Sequence, residues 1–423
     1  MGKILMRAAM SPLENKTPYQ VLTQNAIGNN IGNLLFPHSI SRTLMTEDTV
    51  IDTINFNKLS GNRLGLREKI HRINEEYDCL ILPFANAFRV SFMSELRRIT
   101  YVVRRLDIPC IVVGIGMQTR LGGQINNKEL NEVVTDFVEA VLEKSKYLGL
   151  RGEHTAEYLT SLGFQAERDF TVIGCPSMYM YGKDLPRPNL RGLTSTSTVS
   201  FNSKISLPQK FHDFIFRCRK EIKDYYYIPQ VIEELRRMYV GMPFPEKFAK
   251  RVPEHFPGSI SHPIYVRDKA RSFINVQSWL QFLGEMDFSF GSRIHGNIAA
   301  VLSGTPAFVI VSDQRIKELV EYHNIQHIMM DELNKETDIF ELYEGADFNL
   351  VLKGHSERFF HYLDFLRQNG LDTIYDEKGN AGRVYFDEAL AKVEFCQALR
   401  AFTAVPAAQQ AKRLDKFWGY MCQ

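Results

Sequence analysis

The chain has 423 residues, of which 44% are hydrophobic and 24% charged, and a formal net charge of +2. That length supplies two or three domains with substantial cores, and the composition is that of an ordinary globular protein. The balanced charge gives no general argument for nucleic-acid binding, so no nucleic-acid partner is expected and any basic site must be local.

The six cysteines, Cys79, Cys110, Cys175, Cys218, Cys396 and Cys422, form no C-x-x-C pair and no zinc spacing. Several lie inside apolar runs, as buried free thiols do, which points to a reducing, cytoplasmic compartment. The opening MGKILMRAAM is too short and too interrupted for a secretory signal, and no run reaches membrane-spanning length. His255, His262, His323 and His327 lack acidic or cysteine company at ligand spacing, so no metal site is expected.

In chain order, Gln20–Thr23 reads as a short strand leading into the Asn/Gly-rich loop Asn25–Asn33, which opens a helix over Leu34–Leu44. Asn29, Asn30 and Asn33 carry amides suited to sugar hydroxyls or donor oxygens, although Asn and Gly also dominate turns for conformational reasons. The loop lacks the G-x-G-x-x-G dinucleotide spacing. Cys79–Leu82 and Ile108–Val113 are short apolar strands flanking an amphipathic helix over Met93–Leu106. The second strand ends in Gly114-Ile115-Gly116, where a ligand or another backbone can approach closely. A helix over Glu129–Lys146 precedes the strand Tyr147–Leu150. Arg151 then stands at a strand-to-helix junction, before a helix that Gly163 stops; Glu153 and Glu157 are its alternative, structural partners. The strand Thr171–Ile173 runs into the loop Gly174–Ser177.

From Tyr181 to Thr198 the composition shifts to Pro, Gly, Arg, Ser and Thr, which marks a linker. The expected division is a domain over 1–185, a linker over 186–198, a second domain over 199–345 and a helical extension over 346–423. Pro208–Val252, with the run Tyr225-Tyr226-Tyr227, reads as a helix pair with a solvated basic face or as a sugar-facing surface. Helices are expected over Ala270–Leu283, Glu357–Gln368 and near Asp387–Phe402. The basic, aromatic Lys412–Trp418 stretch is suited either to packing or to a peripheral membrane contact.

The strongest chemistry lies after the apolar strand Met286–Phe290. Gly291-Ser292 breaks the run, and Arg293-Ile294-His295-Gly296 follows. Extended backbone there would place Arg293 and His295 on one side and Ile294 on the other. Helical spacing begins by Asn297, Gly304 ends it, Ala307–Val311 is a buried strand, and Ser312 or Asp313 caps a second helix. This β–turn–α–β–α unit implies a parallel sheet with ligands at the carboxyl ends of its strands. A helix N-terminus attracts anions, Arg293 adds a forked cation, and His295 can move a proton near neutral pH.

At these residues the chain resembles the polysaccharide pyruvyl transferase family: G-S-R-I-H-G-N-x-A-A, then G-x-P-A, then D-x-R-x-x-E-L-x-x-Y-H-x-I. The resemblance implies two Rossmann-like domains facing a cleft, as in GT-B glycosyltransferases. It implies transfer of the pyruvyl group of phosphoenolpyruvate to a sugar as a ketal. Phosphoenolpyruvate is then a co-substrate and no further cofactor is expected. By that resemblance Arg293, Arg151, Arg315 and Gly296 bind the donor. His295 and Asp313 are the catalytic candidates, and Asn30 and Asn33 face the acceptor, a glycan or lipid-linked sugar. Where many members have Lys in an Asp-Pro-Lys context this chain has Arg315, which keeps the charge but not the proton-donating ability. A nucleotide-sugar glycosyltransferase of the same architecture is the alternative; it calls for a glutamate near a turn of the second domain, whereas Glu318 falls on a helix. A homo-oligomer and a visit to the inner face of the membrane stay open.

Overall fold

The computed structural model describes residues 2–56, 63–123, 125–246, 252–376 and 382–422. Two parallel sheets organise it. In the first, β1 (Gly2–Arg7) lies between β2 (Thr49–Ile54) and β3 (Cys79–Pro83), and β4 (Cys110–Val113) follows β3. The pair β5 (Leu148–Leu150) and β6 (Phe170–Val172) continues this sheet through the Ile115–Leu150 bridge. In the second, the order is β8 (Asp224–Tyr227), β7 (Thr198–Asn202), β10 (Phe288–Gly291), β11 (Ala307–Val311), β12 (His327–Met329). The short β9 (Arg271–Ser272) pairs separately with β13 (Leu399–Arg400). The two halves are Rossmann-like and have the GT-B-like arrangement.

Each sheet has one point at which its strand order reverses. The chain leaves β1 for β2 on one side and returns to β3 on the other; it likewise leaves β7 for β8 and returns to β10. Outside the carboxyl ends of such a strand pair the connections diverge and leave a crevice, where open α/β sheets bind ligands.

Several sequence expectations change in the folded chain. Gln20–Thr23 is helical, within Pro18–Gln24, because Thr17 and Gln20 form a reciprocal capping box and Pro18 suits the first helical position. The first strand of the first sheet, a central one, is built instead from the opening residues, Gly2–Arg7. The tyrosine run is β8, with Tyr225 and Tyr227 buried, and the helices Gln209–Glu221 and Ile232–Val240 flank it. In the stretch expected to be helical to Phe402, helix covers only Tyr385–Leu390. The chain beyond is drawn into tertiary pairing, with Asn275 Nδ2 donating to the Cys396 carbonyl at 2.7 Å and Leu399 paired to Ser272.

The cores interlock the halves. Val21, Leu22, Ile27 and Ile31, from the first half, share a core with Phe201, Tyr227, Leu235 and Ile298 of the second. In the opposite direction Phe359, Tyr362, Leu363 and Leu366 of the helix His355–Gln368 pack on Ile4, Met6, Ile81 and Ile111 of the first sheet. The final helix, Ala407–Met421, buries Phe417 in the second half's core and places Arg413 over the Tyr239 ring at 4.1 Å. No described helix is long and apolar enough to cross a membrane.

Candidate active site

The backbone at 291–296 sets the geometry. Gly291 has φ 141°, where a side chain would be strained, and its close approach to Asn202 leaves no room for a Cβ. The helix then begins at Ile294, with Arg293 as its cap residue, three residues before the first clear periodic signal. Extended alternation is therefore absent, and Arg293 and His295 point apart, as residues two apart on a helix do.

Arg293 stays within the second half. Its Nε donates to the Ser203 carbonyl at 2.8 Å, its Nη2 donates to Glu234 Oε1 at 3.1 Å, and its N–H donates to Asn202 Oδ1 at 2.6 Å. Burial pushes the Glu234 carboxyl up, with Arg293 opposing it. Much of the Arg293 charge is spent on this pair. Gly296 serves close packing: a Cβ there would run into the side chains of Gln230 and Asn202.

His295 turns toward the first half. Its ring meets Phe36 edge-on at 4.9 Å, its Nε2 lies 4.0 Å from Cys175 Sγ, and Gly32 approaches so closely that a Cβ there would stand 2.6 Å from that of His295. Burial, then the charges of Arg151 and Arg315, hold the imidazole well below its ordinary pKa. The ring is therefore neutral at physiological pH.

Arg151 is the least satisfied of these groups. It is fully buried at the end of β5; Nη2 donates to the Phe84 carbonyl at 3.2 Å and the guanidinium lies over Phe36 at 5.1 Å. Nε and Nη1 have no hydrogen-bond partner among the described residues. Neither Glu153 nor Glu157 takes the place of a partner. A guanidinium stays charged even when buried, and leaving its donors unpaired costs free energy that an anion would recover. Ser203 Oγ, Ser292 Oγ, Gln230 Nε2 and Asn297 Oδ1, around the ends of β7 and β10, are likewise buried and unpartnered among the described residues.

The helix Gln314–Tyr322 completes the cluster. Asp313 caps it, accepting from the Ile316 N–H at 3.1 Å, and Arg315 turns back to Asp313 at 3.3 Å. Burial raises the Asp313 carboxyl, but Arg315 and Lys204 outweigh it and hold the net pKa below its usual value. Arg315 also acts electrostatically on Arg89, Arg151, His295 and Lys204, so five cationic or imidazole groups converge near one volume. Arg89, in the loop after β3, donates to the Asn86 carbonyl and to Ser91 Oγ at 3.1 Å.

Glu318 was set aside in the sequence as a helical residue; the fold buries it between the halves. The Thr155 N–H donates to it at 3.2 Å and Thr155 Oγ1 at 3.1 Å, while a Cβ at Gly152 would stand 2.7 Å from its own Cβ. Burial raises its pKa to about 7 against the opposing pull of Arg151, Thr155 and Arg315. A raised carboxyl stabilises the fold fully below its unfolded pKa, and that contribution is lost as pH rises through the folded value. Glu318→Gln is therefore expected to flatten the fall in melting temperature between about pH 4.5 and 7. Thermal melts of both proteins across that range check it; parallel curves would contradict it.

Asn30 and Asn33 lie in the loop that docks on the second half, where the Ile31 N–H donates to the Gln230 carbonyl at 3.0 Å. Their side chains are engaged locally: Asn30 Oδ1 accepts from the Gly32 N–H at 2.8 Å and Asn33 Nδ2 donates to the Gly28 carbonyl at 2.6 Å. Sequence reasoning passed over Lys204, Arg89 and Glu318. The signal for Lys204 was legible in the polar triplet Asn202-Ser203-Lys204 directly after an apolar strand.

Two Rossmann-like halves, with Arg151, His295 and Lys204 all within the field of Arg315, define a GT-B-like class of protein. Within that class the chain belongs to the polysaccharide pyruvyl transferase family, whose model matches residues 30–314. The family is one of transferases, so the chain is placed among them. No curated protein matches it. Among solved structures it is similar to Anabaena HepE in complex with UDP and glucose, at 11% identity over 93% of this chain and all (100%) of that one, TM-score 0.43. It is similar to the S. aureus MnaA–UDP co-structure at 12% identity over 94% and 99%, TM-score 0.38. A UDP-GlcNAc 2-epimerase from Methanocaldococcus jannaschii, bound to UDP-GlcNAc and UDP, gives 11% over 87% and 99%, TM-score 0.39.

Proposed function

We propose that the protein transfers the pyruvyl group of phosphoenolpyruvate to a sugar of a polysaccharide or its precursor, forming a pyruvate ketal. The observation that carries this reading is Arg151, a fully buried guanidinium with two unpartnered nitrogens beside Arg315 and His295. Phosphoenolpyruvate brings a phosphate and a carboxylate, and such a cluster compensates a compact polyanion while excluding water. Arg151 and Arg315 hold the donor; Arg293, largely neutralised by Glu234, frames the turn and adds less field. Cations on the phosphate also stabilise it as it leaves.

His295 takes part as a base or hydrogen-bond partner. It is neutral before the donor binds, and a polyanion beside it would raise its pKa toward the physiological range. In this reading it receives the proton of an attacking sugar hydroxyl. Asp313 orients Arg315 and caps the helix, and the Asn/Gly loop carrying Asn30 and Asn33 is the acceptor-side wall. The acceptor is a glycan or lipid-linked sugar.

The nucleotide-sugar reading needs a carboxylate free to take ribose hydroxyls, and Glu318 is already held by Thr155. Thermal denaturation separates the two readings, because only a ligand of the folded state raises the midpoint. Phosphoenolpyruvate is expected to stabilise the protein, by about 2.7 kcal/mol at a hundred times its Kd. UDP-sugars are expected to have no effect. Stabilisation by a UDP-sugar and not by phosphoenolpyruvate would replace this reading with the other.

A further inference from the structure

Lys204 lies two residues past the end of β7, at the point where the second sheet's strand order reverses. Its Nζ donates to Ser312 Oγ at 3.0 Å and stands 3.4 Å from Asp313 Oδ2, and its side chain is 16% exposed. The triplet it closes builds the same corner: Asn202 holds the Arg293 backbone, Ser203 its guanidinium, and Lys204 the start of the Gln314–Tyr322 helix. The charged groups that act on its ammonium are Asp313 and Arg315 from that helix's start and Arg293 from the turn after β10.

We infer that Lys204 is the proton donor to C3 of phosphoenolpyruvate in this chain. The inference rests on the pyruvyl-transfer reading. Arg315, the other cation against Asp313, is a guanidinium that stays protonated throughout catalysis and so supplies charge without a proton. Lys204 sets an exchangeable ammonium against the same carboxylate, Asp313, from a different strand. Burial, then Arg315, brings its pKa down to about 7, with Asp313 opposing. A donor poised there is acidic enough to give up its proton and basic enough to regain it.

The step balances without any further reactant. The Lys204 N–H breaks and a C–H forms at C3, as the C2=C3 π pair becomes that bond and leaves C2 electron-poor. A sugar hydroxyl adds to C2 and gives its proton to His295. The C2–O bond then breaks, its electron pair leaving on phosphate. A second hydroxyl adds to C2 to close the ketal. Of the two hydroxyl protons, one replaces that lost by Lys204 and the other leaves with phosphate.

The test uses the full chain, reductively methylated with 13C-formaldehyde so that each lysine gives an NMR resonance, with Lys204→Arg to assign its own. Phosphoenolpyruvate is the probe. The Lys204 resonance is expected to titrate near pH 7 and to move upward when phosphoenolpyruvate is added. Phosphate release from phosphoenolpyruvate, with a panel of glycosides and with water alone, is expected to fall about a hundredfold in Lys204→Arg. That variant should still be stabilised thermally by phosphoenolpyruvate, because a cation remains. A resonance titrating above pH 10, or one that phosphoenolpyruvate does not move while it stabilises the wild type, overturns the role of Lys204. Wild-type phosphate release by Lys204→Arg overturns it equally. If the wild type is not stabilised by phosphoenolpyruvate at all, the pyruvyl-transfer reading itself fails, a result distinct from a failure of the Lys204 titration alone.

Discussion

Replacing Arg151 with methionine is expected to abolish stabilisation by phosphoenolpyruvate while leaving the ligand-free melting temperature unchanged or raised. Function and stability part company here because the guanidinium is buried with Nε and Nη1 unpartnered among the described residues. Burying it with these donors unpaired costs free energy, and an apolar side chain of similar length removes that cost. What is retained, contact with the Phe36 ring, methionine can also supply. What is lost is a charge-assisted contact to the anion, and removing one partner of such a buried pair costs about 3–5 kcal/mol. The affinity for phosphoenolpyruvate should therefore fall by about two to four orders of magnitude. Calorimetric titration and thermal melts of the two proteins measure both effects. A variant that melts lower yet binds phosphoenolpyruvate normally would make Arg151 a structural strut between β5 and Phe84.

His295→Ala should stop turnover and keep the fold. The imidazole contributes an edge-on contact to Phe36 and fills the space under Gly32, so its loss opens a small gap at the junction of the halves. That is expected to cost about 1–3 kcal/mol of stability, which a two-domain core tolerates. The chemical loss is larger, because a positioned base contributes about 10²–10⁴-fold. Phosphoenolpyruvate should still raise the melting temperature of the variant, since Arg151 and Arg315 remain. Phosphate release within a few fold of the wild type would remove His295 from the reaction.

Legibility differed by level. Short apolar strands, the Gly304 stop and a helix cap at Ser312 or Asp313 were readable because each depends on a few neighbours along the chain; the fold uses Asp313. Boundaries drifted where tertiary contacts decided them. The helix that begins at Ile294 instead of Asn297 is the consequential case, because it separated two side chains that an extended turn would have aligned. The capping box at Thr17 was present in the sequence and overrode the strand reading of the residues after it. Asn30 and Asn33 were visible as polar loop residues, but only the folded loop shows their amides engaged by Gly32 and Gly28.

By itself the sequence determined the class of fold, two parallel α/β halves, and the family, through a turn motif that needs its residues in consecutive order. It also placed Arg151, Arg315 and His295 at strand-to-helix junctions, where local pattern suffices. Only the tertiary structure decided which charges remain available: Arg293 is paired with Glu234, 59 positions away in sequence, whereas Nε and Nη1 of Arg151 have no hydrogen-bond partner among the described residues. It alone brought Lys204 to Asp313 and Glu318 to Thr155. The reason is that electrostatic availability depends on burial and on partners from distant strands, and neither quantity is written in any local stretch of the chain.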